Sequence, residues 1–197
     1  MKPDEASPIG RVKRSTTDEH ESVEAVLTAR FLERSEFDRN DFGMLLARYY
    51  GLYTPLDDVL EPLAEGQLQN FQYQNRGSCI AEDLRALGFK ERQIESLPTL
   101  ERDSIAIPAT LPALLGTLYV VEGASLGNHV IRRKLEPQLD GVFSRADAFF
   151  HDDGAATGER WKRFRTVFNR RIESDVALAV AIRAARETFT MYEEWFS

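Results

Sequence analysis

Cysteine is almost missing from this chain. Cys79 stands alone, so no internal disulfide can form, and a reducing compartment, the cytoplasm, is the expected location. Cys79 itself reads as a small apolar helix residue. Long hydrophobic runs are missing as well. The most apolar stretch, 111–121, stops at Glu122 and falls short of the roughly 18 residues that suggest a membrane span. No apolar segment sits within the first twenty residues, so no secretory leader is expected. Positive charge is outweighed: 25 Lys and Arg against 32 Asp and Glu leave a formal net charge of −7. That balance argues against nucleic acid as a partner, because phosphate binding needs a basic surface. Strand signals are scarce too, with no clear period-2 run and no Asn-Gly hairpin turn. No repeat or low-complexity block divides the chain, and 197 residues suffice for one domain with a real core.

What is present is helical periodicity. Residues 1–10 are polar with two prolines and read as a flexible N-terminal tail, and 11–197 read as one all-α domain. Thr16, His20, Val23, Leu27 and Phe31 recur three or four apart and form one stripe. Asn40 or Asp41 is placed to cap a second helix, in which Pro55 predicts a kink or a division. Residues 66–77 read as a connection, Ser78 as the next N-cap, and Gly88 as a helix stop. A short helix is expected at 90–96. Pro108 and Pro112 mark the start of a long apolar helix over 113–135, closed by Pro137. A loop holding Asp152, Asp153 and Gly154 then precedes two helical stretches, about 158–171 and 175–196.

The long apolar helix contains Gly116, Gly123 and Gly127. A glycine inside a helix costs roughly 1 kcal/mol relative to alanine, so three on one helix need a reason. Their spacings of 7 and 4 put them on one face. Close packing of another helix through small residues is one reading. A flat ligand lying against bare backbone is the other, and spacing alone does not choose between them.

His20 lies on the first stripe, with Lys13 two turns earlier. Seven helical residues span about 10 Å, the distance from a metal at the centre of a macrocycle to an acidic group at its edge. Imidazole is a natural iron ligand, and Glu24, four residues on, is placed to accept a hydrogen bond from the other ring nitrogen, directly or through water. A lone histidine near a helix start also reads simply as a surface or core residue. His129 follows Gly127 by two residues, about 200° of rotation, and should face away from the glycine groove. His151 reads as solvent-exposed.

Taken together, two segments resemble the heme oxygenase family, most closely the bacterial members that accompany bacteriophytochromes. Lys13-Arg14-Ser15-Thr16-Thr17-Asp18-Glu19-His20 looks like the proximal-helix motif, in which a threonine precedes the iron-ligand histidine by four. Leu118-Tyr119-Val120-Val121-Glu122-Gly123-Ala124-Ser125-Leu126-Gly127 looks like the distal-helix motif. The C-terminal pattern of Phe149-Phe150, Gly154, Gly158, Trp161, Phe164, Thr188-Phe189 and Trp195 is similar too. The resemblance implies an all-α fold that sandwiches heme between proximal and distal helices, with heme as both substrate and cofactor. It implies His20 as the iron ligand, and Gly123, Gly127 and Asn128 at the catalytic face. Lys13, Thr16, Tyr119 and Lys162 would bind heme, with Lys13 and Lys162 near the propionates.

Two positions depart from the family pattern. Asn128 stands where many members have a glycine, and its amide would either meet the heme or hydrogen-bond a distal water. Ala124 stands where some members carry an acid. The implied activity is oxidative opening of heme by dioxygen and external electrons to biliverdin, carbon monoxide and ferrous iron. A non-catalytic heme carrier or sensor on the same fold is the alternative that these departures favour. Six basic residues within 160–171, with no acid among them, read as a solvated face, as propionate partners, or as a dock for an acidic electron donor such as a ferredoxin. Arg132, Arg133 and Lys134 are candidates to extend that patch. A bacteriophytochrome is the implied recipient of the biliverdin.

Overall fold

A computed structural model describes residues 5–34, 36–69, 71–151 and 154–197. Among these residues there are helices, turns and irregular connections but no strand. None of the helices is long and apolar enough to cross a membrane. Asp152 and Asp153 of the expected loop lie outside the described residues, and Gly154 opens a helix.

Residues 8–10, expected to belong to a loose tail, are helical. Helix α1 runs Pro8–Ser15 because Ser7 accepts the Gly10 N–H on its Oγ at 3.2 Å, and Pro8 at the first position needs no donor there. Ile9 and Val12 from α1 are buried. The helix breaks at Thr16, whose φ of −124° leaves the helical range, and resumes as α2, Thr17–Leu27. A π-helical turn, Thr28–Leu32, follows and buries Phe31.

Helix α3, Arg39–Gln67, is capped by Asp38 rather than by Asn40 or Asp41. Asp38 accepts the Asp41 N–H while the Asp41 carboxylate accepts the Asp38 N–H, a reciprocal box. Pro55 does not divide this helix. Proline cannot donate to the carbonyl four residues earlier, which is that of Gly51. That carbonyl accepts the Leu100 N–H instead, at 2.9 Å, so the missing helical bond is replaced from outside. Gly51 makes the approach possible: a Cβ there would lie 2.2 Å from the Pro98 carbonyl oxygen.

Helix α4, Arg76–Ala86, is capped by Asn75, which accepts the Ser78 N–H at 3.0 Å; Ser78 is therefore inside the helix, not its cap. Gly88, at φ +94°, ends the segment as expected of a residue free to enter the left-handed region. The short α5 spans Glu91–Glu95. Helix α6, Leu111–Leu135, is the apolar helix, followed by a short 3-10 turn at Glu136–Gln138. Helices α7, Gly154–Arg171, and α8, Asp175–Phe196, complete the chain.

Both α2 and α6 pack on α8, which forms the floor between them. The core is aromatic: Phe42, Tyr53, Phe150, Phe164, Phe168 and Phe196 are fully buried. Each buried phenylalanine contributes roughly 1.5–3 kcal/mol. His20 of α2 and the bare backbone of α6 stand on the walls of this arrangement.

Candidate active site

The glycines of α6 divide by function. Gly116 is a packing residue, since a Cβ there would sit 2.1 Å from the Ala181 carbonyl oxygen of α8. Gly127 faces open space, with nothing within 4 Å of an added Cβ. At Gly123 such an atom would touch only the Trp161 ring, at 3.9 Å. Close helix packing therefore holds at one end of the glycine stripe, and a groove opens at the other.

That groove is one wall of a cleft of about 600 Å³, within the range of small-molecule and cofactor sites. Gly123, Ala124 and Gly127 come from α6; His20, Val23 and Leu27 come from α2; Phe189 and Tyr192 come from α8. The imidazole side chain is half exposed and stands edge-on to Phe189, ring centroids 5.7 Å apart. Its Nε2 lies 3.7 Å from Glu24 Oε1, too far for a direct hydrogen bond and close enough for one bridging water. Lys13 also lines the cleft. The result is an apolar slot with an imidazole on one wall, unobstructed backbone on the other and an ammonium on its lining. This donor set suits a flat, anionic, iron-containing ligand.

Other expected site residues take less direct places. Thr16 is buried outside the cleft. Its Oγ1 donates to the Val12 carbonyl at 3.0 Å. Tyr119 lines the cleft beside Trp161, centroids 5.9 Å apart, and burial pushes its hydroxyl pKa up. Lys162 is not brought to the site. It is exposed on α7 and pairs with Glu159 at 3.3 Å, because the neighbouring position, Trp161, is the one that turns inward. Asn128 is buried, and its Nδ2 donates to the Phe149 carbonyl at 3.2 Å, so the amide is tethered to a loop. His129 does not line the cleft, and His151 is exposed beside Asp147.

One constellation escaped the sequence reading. Glu122, one residue before Gly123, is almost inaccessible to solvent. Its carboxylate accepts from Arg76 Nη2 at 2.9 Å, Arg160 Nε at 2.6 Å and Arg160 Nη2 at 2.8 Å. Burial alone would raise the carboxyl pKa, but the two guanidinium groups overcome it and hold it below the usual glutamate value. Arg76 also lies over the Tyr53 and Tyr73 rings, at 5.7 and 5.6 Å. Arg160 is therefore not a free member of the basic segment. Arg132 is not free either, being paired with Asp147 and Glu136. The only sequence signal was an acid inside an apolar helix; its partners lie 46 and 38 residues away.

An all-helical protein with a histidine-and-glycine cleft is the class this geometry defines. The sequence matches the family model for heme oxygenase over residues 9–197. A heme oxygenase of Xanthomonas campestris pv. campestris is 29% identical over 163 residues, which is 82% of this chain and 92% of that protein. Two solved structures share the fold. The heme oxygenase of Neisseria meningitidis, determined with NO and CO bound, aligns with a TM-score of 0.74 and 20% identity, covering 97% of this chain and 90% of its own. The heme oxygenase of Leptospira interrogans aligns at 0.78 and 17%, covering 97% and 98%. The chain belongs to the heme oxygenase family.

The division among the glycines gives a direct check. Gly116→Ala forces the new methyl group into α8 backbone and should cost about 1–3 kcal/mol. Gly127→Ala meets nothing and should gain up to about 1 kcal/mol of helix propensity. Thermal melts of the two ligand-free variants should move in opposite directions.

Proposed function

We propose that this chain opens heme to biliverdin, carbon monoxide and ferrous iron, using dioxygen and electrons from a separate donor. The observation that carries the reading is the opposition of His20 to the bare backbone of Gly123 and Gly127 across one apolar cleft. Membership of the family supports it. Heme bound there is substrate, and its own iron is where dioxygen is reduced.

In this reading the His20 imidazole is the iron ligand on the proximal wall, and Glu24 is the neighbouring acceptor for the ring nitrogen that does not bind iron. Lys13 neutralises a propionate at the edge of the ring. On the distal wall, Gly123 and Gly127 let the porphyrin approach the α6 backbone and restrict from one side the space above the iron. Tyr119 and Trp161 frame that space. The cleft holds no histidine opposite His20 that would act as a strong acid, which leaves a peroxidase-type cleavage without its usual proton donor.

Lys162, Arg163, Arg170 and Arg171 are exposed on α7 and supply a basic face for an acidic electron donor such as a ferredoxin. Transfer of the bilin to a bacteriophytochrome follows from the branch that the distal segment resembles, and a cytoplasmic location suits both partners.

The test is a heme titration followed by addition of reductant and oxygen. The expected result is a one-to-one complex whose Soret band decays as bilin absorbance rises. A Soret band that persists without bilin would overturn the enzymatic reading.

A further inference from the structure

Asp83 lies outside the cleft, on α4, and is almost fully buried. No ion pair to it exists among the described residues. Its partners are backbone: Oδ1 accepts the Ala148 N–H at 2.7 Å and Oδ2 accepts the Phe149 N–H at 2.9 Å. The same residue, Phe149, presents its carbonyl to the Asn128 amide at 3.2 Å. The backbone of Phe149, held at its N–H by a buried carboxylate on α4, thus holds at its carbonyl the side chain of the residue that follows Gly127. The loop is fixed at a second point, where Asp147 pairs with Arg132, one turn beyond Asn128 on α6.

Asn128 occupies a particular place. Behind the distal helix lies a second cavity of about 280 Å³, bounded by α4, α6, α7 and the 148–151 loop. Arg76, Ser125, Thr157, Arg160 and Arg163 give it a polar lining. Among the described residues, Asn128 is the one that lines both this cavity and the heme cleft. Its amide forms part of the partition between them.

We propose that Asp83 is a positioning residue that acts through the backbone of Ala148 and Phe149 to hold Asn128 at that partition. A carboxylate is suited to the task because it accepts from two N–H groups at once. An asparagine would satisfy one of them and turn an N–H towards the other. Once the peptide shifts, the Asn128 amide loses its acceptor and is free to reach over the glycine groove. The part of the proposal that concerns heme rests on the reading of the cleft given above; the part that concerns Asn128 does not.

The first arm of the test uses the ligand-free, 15N-labelled protein. The Asn128 side-chain amide signal is identified by its loss in Asn128→Ala. In Asp83→Asn this signal should move, and its exchange with solvent should quicken roughly fivefold, the equivalent of one ordinary hydrogen bond. An unmoved signal with unchanged exchange would overturn the proposal. Ala148→Pro removes one of the two N–H donors while keeping Asp83, and should disturb the same signal if Asp83→Asn does not fold.

The second arm uses the ferric heme complex and the pH midpoint of its Soret-band shift. That midpoint should move by about 0.5–1 pH unit in Asp83→Asn and in Asn128→Ala, with no further change in the double variant. Additive shifts, or a lowered Tm with no shift, would reduce Asp83 to scaffolding and overturn its role at the cleft. If the unaltered protein binds no heme, the heme reading itself falls, and the first arm still decides whether Asp83 positions Asn128.

Discussion

His20→Ala should lower bilin formation by roughly 100-fold or more while leaving heme bound. Loss of a residue that merely orients a metal ligand typically costs 10–100-fold, so loss of the ligand itself should cost at least that. The apolar walls of the cleft remain and continue to bury the porphyrin faces. The fold should be nearly unaffected, because the side chain is half exposed and its one ring contact is an edge against Phe189. Two measurements check this together: the ferric spectrum, which should lose the signature of a histidine-ligated iron, and single-turnover bilin yield. Added imidazole should restore both in part by entering the space the truncation leaves. A variant with the original spectrum and yield would remove the proximal ligand from the account.

Glu122→Gln should be the most destabilising single change near the site. It leaves Arg76 buried without a counter-charge and Arg160 without its bidentate acceptor. Breaking a buried pair by removing one partner costs about 3–5 kcal/mol. At roughly 2–4 °C per kcal/mol for a chain of this size, Tm should fall by about 6–20 °C. The pH dependence has a definite sign. The folded pKa of Glu122 is lowered, so its stabilisation is fully present above the unfolded value near 4.5 and is lost as pH falls through the folded one. The difference in Tm between the original protein and Glu122→Gln should therefore be constant near neutrality and shrink on acidification below about pH 4.5. A gap that widens in acid would contradict the assignment.

How far the site could be read in advance differs from residue to residue. That His20 and Lys13 share one cleft was legible because both lie on one short stretch where helical spacing fixes their separation. For Gly123 and Gly127, spacing left a ligand groove and close helix packing as rival readings, and the motif resemblance pointed to the catalytic face. Gly116 has the same composition and face, yet α8 backbone fills the space in front of it. Only tertiary placement separates the two cases. Lys162 does not line the cleft for a local reason: a one-residue step on a helix rotates a side chain by 100°, and Trp161 took the inward place. The Glu122, Arg76 and Arg160 constellation could not be read because it joins three helices far apart in sequence, and no spacing rule reaches across such distances. Helix ends fared similarly. Asp38 and Asn75 cap where neighbours three residues or fewer away carried equally good cap chemistry.

Pro55 has a consequence for how the molecule moves. By withholding one donor in the middle of a 29-residue helix, it leaves the Gly51 oxygen as a socket, and the Leu100 N–H plugs into it. The Trp195 ring closes over the same spot, with its Nε1 donating to the Arg48 carbonyl at 2.8 Å and the Arg48 guanidinium stacked 4.5 Å above it. The strap between α5 and α6 is thereby pinned at Leu100 to α3, and the last turn of α8 is tied to the same stretch of α3. Any tilt of α8, which carries the cleft floor, must drag this stretch of α3 along or tear the Trp195–Arg48 joint.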